Sequence, residues 1–381
     1  MPTLKFELAT EADDPDLRRL LRENPIPGSL SLSFEREPCY FDASVVEGSF
    51  HQTIVARESD SGDVIAFGNR SVHSLFVNGQ VRDIGYMSQL RVDPTYGKGM
   101  YLARGLAGGF KKYHELHLDG RTPFYIMSVI EDNLPARRLL TSGLPEYPTA
   151  REYARVFTYA IYPVRRKRDL PLPPSMRIVR GDDNYTSDFV DCLNRNNVNK
   201  QLAPHWTCDS LFASSASTRL RQSAQRLSPS DFFLVLDDDR VIGCLACWDQ
   251  SAFKQTIVRG YSGSLKRWRK VINLFSRFGV VPYLPEPNTP LKYSYASHLA
   301  VDNDDPLIFK ALLRKVYNHN LEQNYSYFMI GLAESNPFRK IVESYRPLTY
   351  ISQIYLVNWD ADDDLLSKLD HRIPGFEIAV L

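Results

Sequence analysis

Short apolar runs bounded by turn residues punctuate this chain, and they recur in a fixed order. Thr53-Ile54-Val55-Ala56 and Asp63-Val64-Ile65-Ala66-Phe67 flank Ser59-Asp60-Ser61-Gly62, while Phe233-Leu234-Val235-Leu236 and Val241-Ile242-Gly243 flank Asp237-Asp238-Asp239. Strand-forming runs separated by Gly, Asp and Ser favour a tight reversal, so each pair predicts a hairpin. A strand and then a helix precede each hairpin: Lys5–Leu8 before Asp14–Arg22, and Arg177–Val179 before Thr186–Asn194. Downstream, Leu90-Arg91-Val92-Asp93 returns as Leu299-Ala300-Val301-Asp302, 209 residues on (93 to 302). Glu131-Asp132-Asn133 returns as Glu334-Ser335-Asn336, 203 residues on (133 to 336). Each asparagine opens a helical stretch, Ala136–Leu140 or Phe338–Glu343, and each helix leads into an aromatic-rich strand, Tyr153–Tyr162 or Tyr350–Trp359. The pattern predicts one mixed α/β unit read twice.

The seam falls in Pro163-Val164-Arg165-Arg166-Lys167-Arg168-Asp169-Leu170-Pro171-Leu172-Pro173-Pro174, whose prolines can continue neither flanking strand. This predicts a first domain over 1–163, a Pro/Arg-rich linker over 164–175 and a second domain over 176–381. The Arg165–Arg168 run reads as a solvated linker. The second half also carries an insertion, about 251–290. Within it Trp268, Val271, Ile272, Phe275 and Phe278 share one helical face, with Lys266, Arg267, Lys270 and Arg277 largely elsewhere. That face is expected to pack over the domain junction or its own sheet, with a basic lid over an anionic or lipidic substrate as the alternative.

Composition narrows the class. The 381 residues suffice for two cores, and 43% hydrophobic with 24% charged residues is globular usage. A formal net charge of +1 supplies no global field toward nucleic acid or a membrane surface. No run approaches the roughly 18–20 apolar residues of a spanning helix, so no stable membrane insertion is expected. The N-terminal residues read as a strand, not a signal peptide. Five cysteines without framework spacing fit a reducing, cytoplasmic setting. Cys244 and Cys247 lie three apart on a strand and therefore face opposite sides, which suits neither a disulfide nor a metal. His51, His73, His114, His117, His205, His298 and His319 have no ligand or triad spacing, and no metal is expected. His114 and His117 read as solvated, and His298 as facing a shared cleft.

Two stretches carry chemistry. In Val92-Asp93-Pro94-Thr95-Tyr96-Gly97-Lys98-Gly99-Met100 an apolar strand runs into a glycine-bearing loop that opens a helix. Unpaired N–H groups at a helix start favour a pyrophosphate, and glycine lets backbone approach it. In Glu131-Asp132-Asn133-Leu134-Pro135-Ala136-Arg137-Arg138-Leu139-Leu140-Thr141-Ser142-Gly143-Leu144 a strand end meets an asparagine and a helix closing at glycine. Together, Val-x-Pro, the Gly-x-Gly loop and Asn-x-x-Ala-x-x-Leu-x-x-x-Gly resemble the GNAT (N-acetyltransferase) superfamily. Across the chain, the resemblance is to a tandem GNAT-fold protein with a degenerate second domain.

The resemblance implies two tandem domains, each a mixed, mostly antiparallel sheet flanked by helices. It implies an acyl-CoA co-substrate, acetyl-CoA first, whose acyl group passes to an amine of a small molecule or peptide, without nucleic acid. Leu90, Arg91 and Val92 would lend backbone groups to the pantetheine arm. Gly97, Lys98, Gly99, Met100 and Tyr101 would surround the pyrophosphate. Asn133 would stand near the arm, or equally serve as the N-cap of its own helix. Tyr86, Ser88 and Gln89 are candidates for proton handling, with Tyr86 and Ser88 on one strand face and Gln89 on the other. Asp83 belongs with them on or before that strand, Glu131 and Asp132 end the following strand near the expected cleft, and Leu381 is where some tandem relatives offer a terminal carboxylate, although Phe376–Leu381 reads as a final edge strand. The pattern departs at Tyr96, at Tyr101 in place of a small residue, and at Leu140 where many members carry a thiolate-protonating tyrosine. In the second half Asp302-Asn303-Asp304-Asp305 carries three carboxylates and no glycine, which predicts lost CoA binding and a role walling the first site. Two rivals remain: a non-catalytic ligand-sensing module, and a Fem-type aminoacyl transferase, which the neutral charge disfavours.

Overall fold

The computed structural model describes residues 3–96, 99–212, 227–276, 281, 283–359 and 364–381. The first half supplies β1 (Leu4–Leu8), β2 (Leu30–Glu35), β3 (Phe50–Glu58), β4 (Val64–Val77), β5 (Gln80–Val92), β6 (Tyr125–Ile130) and β7 (Thr149–Ile161). Its helices are α1 (Asp14–Glu23), α2 (Gly99–His117) and α3 (Leu134–Leu140). The second half supplies β8 (Met176–Arg180), β9 (Ala203–Pro204), β10 (Phe232–Asp237), β11 (Arg240–Trp248), β12 (Gln255–Tyr261), β13 (Thr289–Pro290), β14 (Tyr293–Val301), β15 (Tyr327–Ala333) and β16 (Leu348–Asn358). Its helices are α4 (Thr186–Asn197), α5 (Cys208–Phe212), α6 (Gly263–Ser276), α7 (Pro306–Glu322), α8 (Arg339–Glu343) and α9 (Asp364–Ser367).

Both hairpins form where the turn residues place them, β3–β4 and β10–β11. One sheet then runs through both halves in the order β1-β3-β4-β5-β6-β16-β7-β15-β14-β11-β10-β8, with β9 on β4. It is antiparallel except for two short parallel pairs, β5–β6 and β14–β15. At the junction the halves exchange their last strands: β7 lies between β15 and β16, and β16 lies between β6 and β7. The proline-rich segment is held against α7. Val164 N–H donates to Tyr317 Oη at 3.1 Å, Lys167 N–H donates to Asn318 Oδ1 at 3.0 Å, and Lys315 pairs with Asp169 at 2.6 Å.

Helices cover both faces. On one side of the first half, Leu17, Leu20 and Leu21 of α1 pack on Tyr40, Val55, Val64 and Phe67, each buried leucine stabilising by about 1.5–3 kcal/mol. On the other, Phe110 and Tyr113 of α2 meet Ile54, Met87, Tyr125 and Leu140. In the second half Cys244 packs in the core beneath α4 and Cys247 in the core beneath α7, as period-two alternation requires.

Three expectations fail. The segment 251–290 contributes strands where only a helix was expected: β12 pairs with β2 of the first half and with β13 in a separate three-stranded sheet. Trp268, Val271 and Phe275 of α6 point to solvent, because Asn273 and Arg269 tie the opposite face to the chain at Leu284 and Pro285; Phe278 lies outside the described residues. The last residues form no edge strand but thread inward, bridging Gln201 at Pro374.

Candidate active site

The parallel β5–β6 pairing spans only Gly85–Met87 against Tyr125–Met127. Gly85 permits that approach, since a Cβ there would lie 2.1 Å from the Tyr125 ring. Beyond it β5 stays on β4 and β6 stays on β16, so the two strands part and a wedge opens between Ser88–Val92 and Ser128–Ile130. At its apex β5 bulges: Gln89 is left-handed (φ 56°) where the register with β4 shifts. Helix α2 begins at Gly99, just past β5. Gly97 and Lys98 lie outside the described residues, as do the side chains of Met100 and Tyr101. Under α2, Gly105 and Gly109 leave an apolar cavity of about 280 Å³ against Ala56, Ala66 and Gly68.

A polar layer lies on the sheet face that carries Tyr86 and Ser88. Cross-strand register places Ser71 beside Tyr86 and Asn69 beside Ser88. Tyr40 Oη and Thr53 Oγ1 both donate to Asn69 Oδ1, at 2.7 and 2.9 Å, and the buried Asn69 Nδ2 has no partner among the described residues. His73 Nε2 sits 3.2 Å from Ser71 Oγ, with its ring edge-on to Tyr86. Burial pushes His73 down to about 4, so its imidazole is neutral at pH 7; burial likewise pushes the Tyr86 phenol far above its ordinary value. Deeper in, Glu47 pairs with Arg36, Lys254 Nζ (3.3 Å) and His51 Nε2 (3.3 Å), and Arg36 with Lys254 holds its carboxyl well below the usual range against the cost of burial. Tyr40, Asn69 and Glu47 escaped the sequence reading, and His73 was named there only among histidines without ligand or triad spacing. Asn69 and His73 lie on β4, Tyr40 and Glu47 at the two ends of one short helical turn, and only the fold brings the two segments together.

Other candidates fall elsewhere. Asn133 caps α3, its Oδ1 accepting from Ala136 N–H at 3.3 Å. Glu131 pairs with Arg155 at 3.1 Å, Asp132 is exposed, and Asp83 accepts from Ser74 Oγ. Arg91 turns back on Leu90 O at 2.9 Å, while the Leu90 side chain is exposed. Tyr96 Oη donates to Glu58 on the β3–β4 hairpin. Leu140 is buried beside Met87 and Tyr147. His117 is buried against Tyr125 and Trp359 and so is not solvated, while the partly exposed His114 stacks on Trp359.

The second half repeats the geometry and then fills it. Here β14–β15 pairing spans only Tyr293–Tyr295 against Tyr327–Met329, and His298 bulges left-handed (φ 53°), 209 residues after Gln89. The C-terminal segment occupies this region. Ile378 presses on Gly331, where a Cβ would lie 2.2 Å away, and Glu377 Oε2 accepts from the His298 N–H at 2.6 Å. Glu377 Oε1 accepts from Ala379 N–H at 3.0 Å, yet burial outweighs both bonds and pushes the carboxyl up to about 7. His298 itself is buried among Trp206, Phe232 and Trp248, facing no cleft, and burial pushes it down to about 3. The acidic loop is satisfied internally: Asp302 pairs with Arg195 at 2.9 Å, and Asp305 caps α7 by accepting from Leu307 N–H at 2.7 Å. Leu381 packs against the cluster that contains Tyr86.

Two wedges, each with a left-handed bulge and a helix following its strand, define the class: this chain has a doubled GNAT fold. Among solved structures it is similar to a GCN5-related N-acetyltransferase from Sphaerobacter thermophilus, at 11% identity and TM-score 0.56 over 99% of this chain and 98% of that one. It is also similar to Saccharomyces cerevisiae N-myristoyltransferase solved with myristoyl-CoA, at 11% identity and TM-score 0.58 over 94% of this chain and 80% of that one. No family model matches the sequence, and no curated protein matches it. No described helix is long and apolar enough to cross a membrane, and no group of metal-ligating side chains occurs among the described residues.

Proposed function

We propose that this chain is an acyl-CoA-dependent N-acyltransferase whose first half binds the acyl-CoA and whose second half walls the site. The asymmetry between the wedges carries the reading: the first is left open by the described chain, while the second holds the chain's own Glu377–Ile378. In the reaction a neutral amine attacks the thioester carbonyl. The C–N bond forms, the C–S bond breaks, the amine nitrogen loses a proton and the thiolate gains one. Ser88–Val92 offer the arm a strand edge, and Gln89 turns its backbone at the apex. Tyr86 keeps its proton at neutral pH and is therefore a donor rather than a base. The neutral His73 imidazole, beside Ser71, is the better proton acceptor on that face. Acetyl is the first acyl group to test, with an amine on a small molecule or peptide as acceptor and a cytoplasmic setting.

The test is a thermal-shift and calorimetric titration with acetyl-CoA and longer acyl-CoAs on the native chain and on Gly99→Glu. A ligand that binds only the folded state stabilises by about 2.7 kcal/mol at a hundredfold excess over Kd. Saturable stabilisation that Gly99→Glu abolishes supports the reading; no shift with any acyl-CoA overturns it. Leu140, buried where a proton-donating tyrosine is expected, favours one second reading, a ligand sensor that binds acyl-CoA without turnover.

A further inference from the structure

Helix α6 presents its apolar side outward. Trp268 is 59% exposed, Leu274 54%, Phe275 51% and Val271 41%, with Tyr283 beyond the helix at 59%. Soluble surfaces scatter such residues singly; a contiguous group marks an interaction site. The helix is held in this orientation from behind. Asn273 exchanges two 2.8 Å bonds with the Leu284 backbone, and Arg269 donates to Pro285 O at 2.8 Å and pairs with Glu286. At 100° per residue the exposed arc carries an apolar strip of Leu274, Val271, Phe275 and Trp268, with Lys266 and Lys270 along one edge and Arg267 rising within the strip between Leu274 and Val271. The helix carries no Asp or Glu, and those three cations make no ion pair among the described residues.

We propose that this face docks the protein peripherally on an anionic lipid surface. Aromatic and aliphatic side chains that enter the interface beside unpaired cations that meet anionic headgroups are the arrangement by which an amphipathic helix lies in a bilayer surface. The charge selects the occupant, since a neutral apolar partner gives three unpaired cations nothing to meet. The helix follows β12 directly, with Arg269 over the Tyr261 ring at 5.7 Å; β12 pairs with β2 of the first half, and Arg36, just past β2, reaches Glu47 in the polar layer. Docking would therefore set that side of the molecule toward the membrane. The inference is independent of the acyl-transfer reading.

Sedimentation of the full chain with vesicles tests it, comparing phosphatidylcholine alone with phosphatidylcholine containing about one-third phosphatidylserine. Binding is expected only to the anionic vesicles and should weaken as salt rises toward a Debye length of about 8 Å. Lys266→Glu, Arg267→Glu and Lys270→Glu together should weaken it by about 100-fold or more, at about 1 kcal/mol for each charge lost. Trp268→Ala with Phe275→Ala should weaken it by about tenfold or more, without lowering the melting temperature because both side chains are exposed. No binding to anionic vesicles, binding unchanged in either variant, or concentration-dependent self-association of the native chain that Trp268→Ala with Phe275→Ala removes would each overturn it.

Discussion

Asn133 commits its side-chain oxygen to the Ala136 N–H, so its first role is to start α3. Asn133→Ala should cost about 0.5–2 kcal/mol in denaturant unfolding and leave acyl-CoA affinity within about twofold. Two buried groups at the second wedge set opposing pH dependences. His298 has a folded pKa of about 3, below its ordinary 6.5, so the stability it holds is complete above pH 6.5 and lost as pH falls. Glu377 has a folded pKa of about 7, above its ordinary 4.5, so its contribution is complete below pH 4.5 and lost as pH rises to about 7. Urea unfolding of the native chain and Glu377→Gln should therefore diverge between pH 5 and 8, with the native chain losing up to about 3 kcal/mol relative to the variant at the upper end. A pH-independent difference would count against a buried, titrating Glu377. Their meeting was not legible in sequence, because Glu377 and His298 stand 79 residues apart and nothing in the tail's pattern says that it threads back to β14.

Strand and helix order was legible nearly throughout, because turn residues and apolar periodicity are local signals. Even the bulges kept the 209-residue spacing of the repeat. The orientation of α6 was not: periodicity tells which side chains share a face, and anchors such as Asn273 and Arg269 decide where that face points. Strand exchange was equally hidden, since the apolar pattern of β7 suits any central neighbour. The tail's seat makes an element-scale prediction. Gly331→Ala forces a Cβ into Ile378 and should cost about 1–3 kcal/mol by overpacking. It should also speed proteolysis after residue 370, and Ile378→Ala should restore both, a non-additivity that a double-mutant cycle reads directly.

Across the whole molecule, the exchanged strands make the sequence seam a poor place to divide the protein. Residues 1–163 alone lack β16 and expose the edge of β6, and residues 176–381 alone lack β7 and expose the edge of β15. Each fragment should aggregate or remain unfolded when expressed alone, co-expression should recover a complex, and the intact chain should melt in a single calorimetric transition. On the proposed reading each half has a different task, because the second wedge holds the chain's own Glu377–Ile378. Amide hydrogen exchange on the native chain, with and without saturating acetyl-CoA or a longer acyl-CoA, measures that asymmetry at both wedges at once. Protection confined to Ser88–Val92 and the start of α2, with Leu299–Val301 unchanged, is the predicted result. Protection at Leu299–Val301, or at neither segment with any acyl-CoA, would contradict it.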